Sequence, residues 1–197
     1  DIYADEIADN LAFSIEGGEI AVALREGGIR IHGIADGTLL KTLSNRDYRG
    51  SIAFSPDGKL LGVNSRSEAS VWDLKSGRVL RTIEVLGPLN SNAFSSQSDR
   101  FVAAGQIAIV TDVQDRNILS RLTGDPEREG VFVPVFALAN GHMVFASFER
   151  KAGKNFLNFL DLQTSGRNRL EVDEFVGSLT ISPRGDLAAS ISGEHLT

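Results

Sequence analysis

The chain of 197 residues has no cysteine, one tryptophan, one methionine and three histidines. Without cysteine there is no disulfide framework, no thiolate metal site and no cysteine nucleophile. That absence fits any redox environment and leaves the compartment open, with a soluble cytoplasmic chain as the working expectation. An excess of positive charge is also lacking: 20 Lys and Arg against 26 Asp and Glu give a formal charge of −6 and a pI near 5.1. No long Lys/Arg run offsets this locally, which argues against nucleic acid as a partner. The longest apolar runs are a handful of residues, far short of the roughly 20 that span a bilayer. Beginning at Asp1 with "DIYADEIADN", and without the basic and apolar regions of a signal peptide, the chain reads as excised from a longer polypeptide.

The patterns that carry chemistry are missing as well. His32, His142 and His195 stand beside no recognisable nucleophile elbow, and Gly-x-Ser-x-Gly does not occur. Gly17-Gly18 and Gly27-Gly28 lack the following helix that would turn aligned amides toward a phosphate. Neither His-x-x-x-His nor a calcium-loop pattern is present. Paired acids in "DEI", "DPERE" and "EVDEF" read as solvated surface rather than a general acid and base. The expectation is a protein without catalysis, cofactor or metal of its own.

What the chain has is repetition. "LAFSIEGGEIAVAL" from Leu11, "IAFSPDGKLLGVNS" from Ile52, "NAFSSQSDRFVAAG" from Asn92, "PVFALANGHMVFAS" from Pro134 and "LTISPRGDLAASIS" from Leu179 superpose. Their third residues, Phe13, Phe54, Phe94, Phe136 and Ile181, are separated by 41, 40, 42 and 45 positions. In each copy a short apolar strand meets a polar turn and a second apolar strand, forming a hairpin. A third strand follows after a variable loop, as in "GIRIHGI", "ASVWDL", "QIAIVTDV" and "NFLNFLDL", and then a turn and a fourth. The enrichment of Val, Ile, Phe and Thr in short runs, without sustained helical periodicity, predicts an all-β protein. In Ser55-Pro56-Asp57-Gly58, proline pre-sets a turn angle, aspartate can cap nearby amides and glycine accepts the left-handed conformation.

Four strands in a period of about 41 residues match a propeller blade. Phe54-Ser55-Pro56-Asp57-Gly58 and Val71-Trp72-Asp73 resemble the WD-repeat family of β-propellers, and the resemblance runs from about Leu11 to Gly193. It departs from that family in two respects. The Gly-His pair ahead of the first strand is missing from every copy, and only the second copy keeps Trp-Asp, the others having His32-Gly33, Thr111-Asp112 and Leu160-Asp161. The family's His/Ser/Asp/Trp network is therefore not expected. The resemblance implies four-stranded antiparallel blades at about 11–50, 51–90, 91–132 and 133–177, with a partial fifth at 178–197. That is about 4.8 repeats, an incomplete ring, since seven blades of that period need about 287 residues. A second arrangement is a five-bladed ring closed by "DIYADEI".

Each conspicuous residue has a structural reading. Trp72 in a third strand should be pressed between adjacent blades, and Phe13, Phe54, Phe94 and Phe136 should pack between sheets. Asp73, Asp112 and Asp161 recur after the third strand, as turn caps do. In propellers, the connections from fourth to next first strand and from second to third strand share one face. There the sequence places Tyr48, Arg49, Arg66, Phe148 and Arg150, residue types enriched in interface hot spots. The resemblance implies a scaffold for a protein or peptide held on that loop face, with the remaining blades of its parent chain as further partners. The alternative is a sensing or substrate-gating propeller appended to an enzyme domain elsewhere.

Overall fold

The computed structural model describes residues 7–14, 17–25, 28–43, 48–65, 68–84, 89–95, 97–105, 107–115, 117–123, 129–134, 142–149, 153–161, 164, 166–173, 176–181, 188–192 and 195–196. These form only strands and turns. The first sheet is β1 (Ala8–Phe13), β2 (Glu19–Leu24), β3 (Ile29–Gly33) and β4 (Leu39–Leu43). The second is β5 (Tyr48–Phe54), β6 (Leu60–Ser65), β7 (Glu68–Asp73) and β8 (Arg78–Glu84). The third is β9 (Leu89–Phe94), β10 (Arg100–Gly105), β11 (Ile107–Asp112) and β12 (Ile118–Thr123), and the fourth β13 (Glu129–Pro134), β14 (His142–Glu149), β15 (Lys154–Asp161) and β16 (Arg167–Val172). A fifth, three-stranded sheet has β17 (Val176–Ile181), β18 (Ala188–Ser192) and the short β19 (His195–Leu196).

Every neighbouring pair is antiparallel, and each sheet is a meander in sequence order. First strands meet first strands, β1 with β5, β5 with β9, β9 with β13 and β13 with β17. The sheets therefore radiate from an inner row of first strands, as blades do, and form an arc whose first and last blades do not close into a ring. "DIYADEI", the segment expected to close a five-bladed ring, lies outside the described residues except for Ile7.

The hairpin turn has a recurring cause. Ser55 Oγ accepts the Leu60 N–H at 2.9 Å and donates to Asp57 Oδ1 at 2.6 Å. Ser95 Oγ likewise accepts the Arg100 N–H at 3.0 Å and donates to Asp99 Oδ1, and Ser14 Oγ accepts the Glu19 N–H at 3.0 Å. The hydroxyl thus satisfies a backbone donor that the tight turn would leave unpaired. Gly58 closes this turn at φ 68°, and Ser98 holds the equivalent position at φ 61°, where a side chain is strained.

Apolar residues are buried between blades one, two and three, on both faces of the second sheet. Ala21, Ala23, Ile29, Ile31 and Leu43 of the first blade pack against Ile52, Phe54, Leu61, Val63, Trp72 and Leu74 of the second. On its other side the second blade sets Leu60, Ala69, Val71 and Ile83 against Phe94, Phe101, Ala103, Ile109 and Val113 of the third. Trp72 is pressed between blades, as its strand position predicts, and its Nε1–H donates to Ser70 Oγ at 3.0 Å. Of the recurring phenylalanines, Phe54 and Phe94 are buried, but Phe13 is exposed, contrary to the expectation of inter-sheet packing. It stands on the face of β1 opposite Ala12, which packs against the cluster shared with the second blade. Phe136 lies outside the described residues.

Polar ties cross the same seams. Lys41 Nζ on β4 donates to the Leu74 carbonyl and, at 3.4 Å, to that of Lys75. One repeat later, Arg81 Nη1 on β8 donates to the Asp112 carbonyl at 2.6 Å. Asp57 N–H donates to Ser98 Oγ at 3.2 Å, joining the hairpin turns of blades two and three.

Candidate functional site

The carboxylates that recur after the third strand are engaged in turns. Asp73 Oδ1 accepts the Ser76 N–H at 2.6 Å, Asp112 Oδ1 those of Gln114 and Asp115 at 2.7 Å, and Asp161 Oδ1 that of Thr164 at 3.1 Å. This is the capping arrangement that the repeat predicts. Ser76, through hydrogen bonds, holds the Asp73 carboxyl below its ordinary value, and the hydroxyl and amide of Thr38 do the same for Asp36. Burial pushes Asp57 up, but hydrogen bonds from Ser55, Lys59 and Ser98 outweigh it and the carboxyl ends lower than usual. Carboxylates held ionised and hydrogen-bonded in turns are poor proton donors at neutral pH. His32 is buried, with Nδ1 2.9 Å from the Gly37 carbonyl. Among the described residues no group of three His, Asp or Glu could hold a metal ion.

Of the five residues expected on the loop face, Tyr48, Arg49 and Phe148 are described, and they fall at the ends of strands. Tyr48 and Arg49 open β5, where loop positions were expected, and Tyr48 pairs with Ser65, the last residue of β6. Arg66, which follows Ser65, lies outside the described residues. In the fourth blade Phe148 stands one residue from the end of β14, paired with Gly130 of β13 and Asn155 of β15. Arg150, next after that strand, lies outside the described residues. In both blades this is the end where the first strand begins and the second finishes. Strand direction therefore puts Tyr48 and Phe148 at the same end of the arc, with the third blade between them.

Below that end in blades two and three is a polar seam that the sequence reading missed. Asn64 is fully buried, and its Nδ2 donates to Ser51 Oγ at 3.2 Å. Asn92 Nδ2 donates to the Ser51 carbonyl at 2.7 Å across the blade boundary. The Oδ1 atoms of Asn64 and Asn92 are both buried without a hydrogen-bond donor. Gly50 belongs to the same seam: a Cβ there would sit 2.7 Å from Cβ of Asn64, so β5 can cross only without a side chain. The signal was present in the repeat, since Asn92 stands where the other copies have Leu11, Ile52, Pro134 and Leu179.

Radiating four-stranded antiparallel blades, serine-capped hairpins and an interblade tryptophan define a WD40-like β-propeller. No family model matches the sequence. The protein superposes on the WD40 repeats of RRP9 with a TM-score of 0.74 at 14% identity, over 94% of this chain and 57% of that one. It superposes on Hsv2 of Kluyvelomyces marxianus with a TM-score of 0.69 at 12% identity, over 95% of this chain and 56% of that one. The protein thus spans less than three fifths of the solved chains it matches.

Proposed function

We propose that the protein is a non-catalytic scaffold that binds a protein or peptide on the face where first strands begin and second strands end. The reading rests chiefly on one observation: Tyr48 and Phe148, from blades two and four, stand at the same end of an arc whose first three blades are tied by apolar seams and by the Lys41 and Arg81 bonds. A surface built on such a frame pays little ordering cost on association. Tyr48 and Phe148 bring large contact area and Arg49, Arg66 and Arg150 directional donors, the chemistry of interface hot spots. The fold itself, shared with propellers that carry unrelated partners, is compatible with this role. The turn-capping work of Asp73, Asp112 and Asp161 removes the most regular set of carboxylates from consideration as a reactive site.

Calorimetric titration of a protein captured by the parent chain, into the parent and into the Arg66→Ala/Arg150→Ala variant, tests the face. The expected result is a dissociation constant raised about tenfold or more in the variant. Equal affinity for parent and variant would move the binding surface elsewhere.

A further inference from the structure

Each of the five first strands bulges near its start, and the bulge of the second blade is the largest. In β1, β9, β13 and β17 the register with the following strand slips by one residue, between Ala8 and Asn10, Leu89 and Ser91, Gly130 and Val133, and Val176 and Ser178. In β5 it slips by two: Tyr48 pairs with Ser65 and Ile52 with Val63, so that Arg49, Gly50 and Ser51 stand against Asn64 alone. A bulge leaves its extra residues out of the ladder and redirects the strand beyond it. Here the redirected end is Tyr48.

Two buried amides hold this bulge. Asn64, from β6 of the same blade, donates to Ser51 Oγ at 3.2 Å, and Asn92, from the first strand of the next blade, donates to the Ser51 carbonyl at 2.7 Å. Gly50 lies against Asn64, where a Cβ would stand 2.7 Å from Asn64 Cβ and 2.9 Å from its carbonyl oxygen. The bulge is therefore tied from two blades at Ser51 and rests on Asn64 at Gly50.

Both amides depart from the repeat. In the superposed copies Asn64 stands where the others have Ala23, Ala104, Ala146 and Ile191, and Asn92 where they have Leu11, Ile52, Pro134 and Leu179. Each keeps an Oδ1 atom buried without a hydrogen-bond donor, at a cost in stability that an apolar side chain would not incur. Two separate departures from the apolar pattern thus converge on one residue, Ser51, inside the enlarged bulge. Core packing gives no reason for either.

We infer that Asn64 and Asn92 are positioning residues: through Ser51 they hold the two-residue bulge of β5 and so set where Tyr48 and Arg49 stand at the end of the arc. The consequence for recognition rests on the loop-face reading given above, whereas the geometry of the bulge does not.

The bulge can be read without a partner. Tyr3 and Tyr48 are the two tyrosines of the chain, so labelling tyrosine alone with a nitrogen isotope in the Tyr3→Phe protein leaves one backbone amide signal by NMR, that of Tyr48. Asn64→Ala/Asn92→Leu gives both positions residues found in other copies. In this variant the Tyr48 signal is expected to move or divide, while the thermal midpoint stays within about 4 °C of the parent's. Gly50→Ala, which pushes the bulge off Asn64 with both amides in place, should move the signal too. Ile109→Val, a change in the same seam on β11, should leave it where it is. A signal unmoved by the double variant and by Gly50→Ala would overturn the inference. So would one that Ile109→Val moves equally, because it would then report the packing of the seam in general. If the double variant does not fold, Asn92→Leu alone takes its place with the same outcomes.

Calorimetric titration of the captured protein then reads recognition. The folded variant should bind it about tenfold more weakly or worse, and unchanged affinity beside a moved signal would overturn the part of the two amides in recognition. Equal affinity of parent and Arg66→Ala/Arg150→Ala counts instead against the loop face itself, and leaves the NMR result to decide the bulge.

Discussion

Gly62 of β6 and Phe101 of β10 lie so close that a Cβ on Gly62 would stand 2.3 Å from Phe101 Cε2. The same Cβ would stand 3.1 Å from Phe94 Cε2, and the two rings are themselves tilted together with centroids 4.9 Å apart. Phe101 is fully buried, so its ring has little space into which to retreat. The second blade omits a side chain where the third inserts a pair of aromatics. The seam between them is packed by shape as well as by hydrophobicity.

Gly62→Ala is therefore expected to destabilise the protein by roughly 1–3 kcal/mol, the usual cost of overpacking a core. Combining it with Phe101→Leu should recover part of the loss, because the second change removes the atoms that clash. Urea unfolding of the parent, the two single variants and the double variant measures the coupling. Additive losses would place the clash somewhere other than at this pair.

Trp72 contributes both volume and a hydrogen bond. Trp72→Ala should cost about 3–5 kcal/mol through the cavity left between blades one and two. Trp72→Phe keeps most of the ring but loses the bond to Ser70 Oγ, for a loss nearer about 1–2 kcal/mol. Equal unfolding midpoints for parent and Trp72→Ala would refute the burial.

Ser98 is held at φ 61° while its Oγ accepts the Asp57 N–H from the neighbouring blade. Ser98→Ala and Ser98→Gly both remove that acceptor, but only glycine relieves the left-handed backbone. The glycine variant should be the more stable of the two by about 1 kcal/mol. Thermal melts of the two side by side decide this, and the reverse order would contradict the strained-turn assignment.

The lowered carboxyls of Asp36, Asp57 and Asp73 carry a sign for pH dependence. Their folded values lie below the ordinary value of 3.8, so near and below that pH the unfolded chain binds protons that the folded one does not. Their stabilisation is complete above about pH 5 and is lost as pH falls through the lowered values. Urea midpoints are expected to drop as pH falls below about 4. In Asp36→Asn/Asp57→Asn/Asp73→Asn the midpoint should start lower at neutral pH and fall less steeply.

The fold was legible because a blade writes itself locally. Phe-Ser before a turn, an apolar strand after it and an aspartate after the third strand all lie within one period, and each has a local cause in Ser14, Ser55, Ser95 or the Asp73 cap. What crosses between blades was not legible. Lys41 with Leu74, Arg81 with Asp112 and Asn92 with Ser51 are joined by the curvature of the arc, at separations of 33, 31 and 41 residues. The exposure of Phe13 escaped for the same reason: periodicity marks a packing position and is silent about whether a neighbour is there. The proposed binding residues are harder still, because the segments around Tyr48 and Phe148 do not repeat.

The central claim is that a rigid arc of stacked blades offers one loop face to a protein partner. The most direct measurement is affinity capture by the parent and by Tyr48→Ala/Phe148→Ala in parallel, at matched thermal midpoints, with quantitative mass spectrometry of what each retains. The account predicts at least one protein whose recovery by the variant falls about tenfold, as for loss of two hot-spot anchors. Equal recovery of every captured protein by both chains would contradict it.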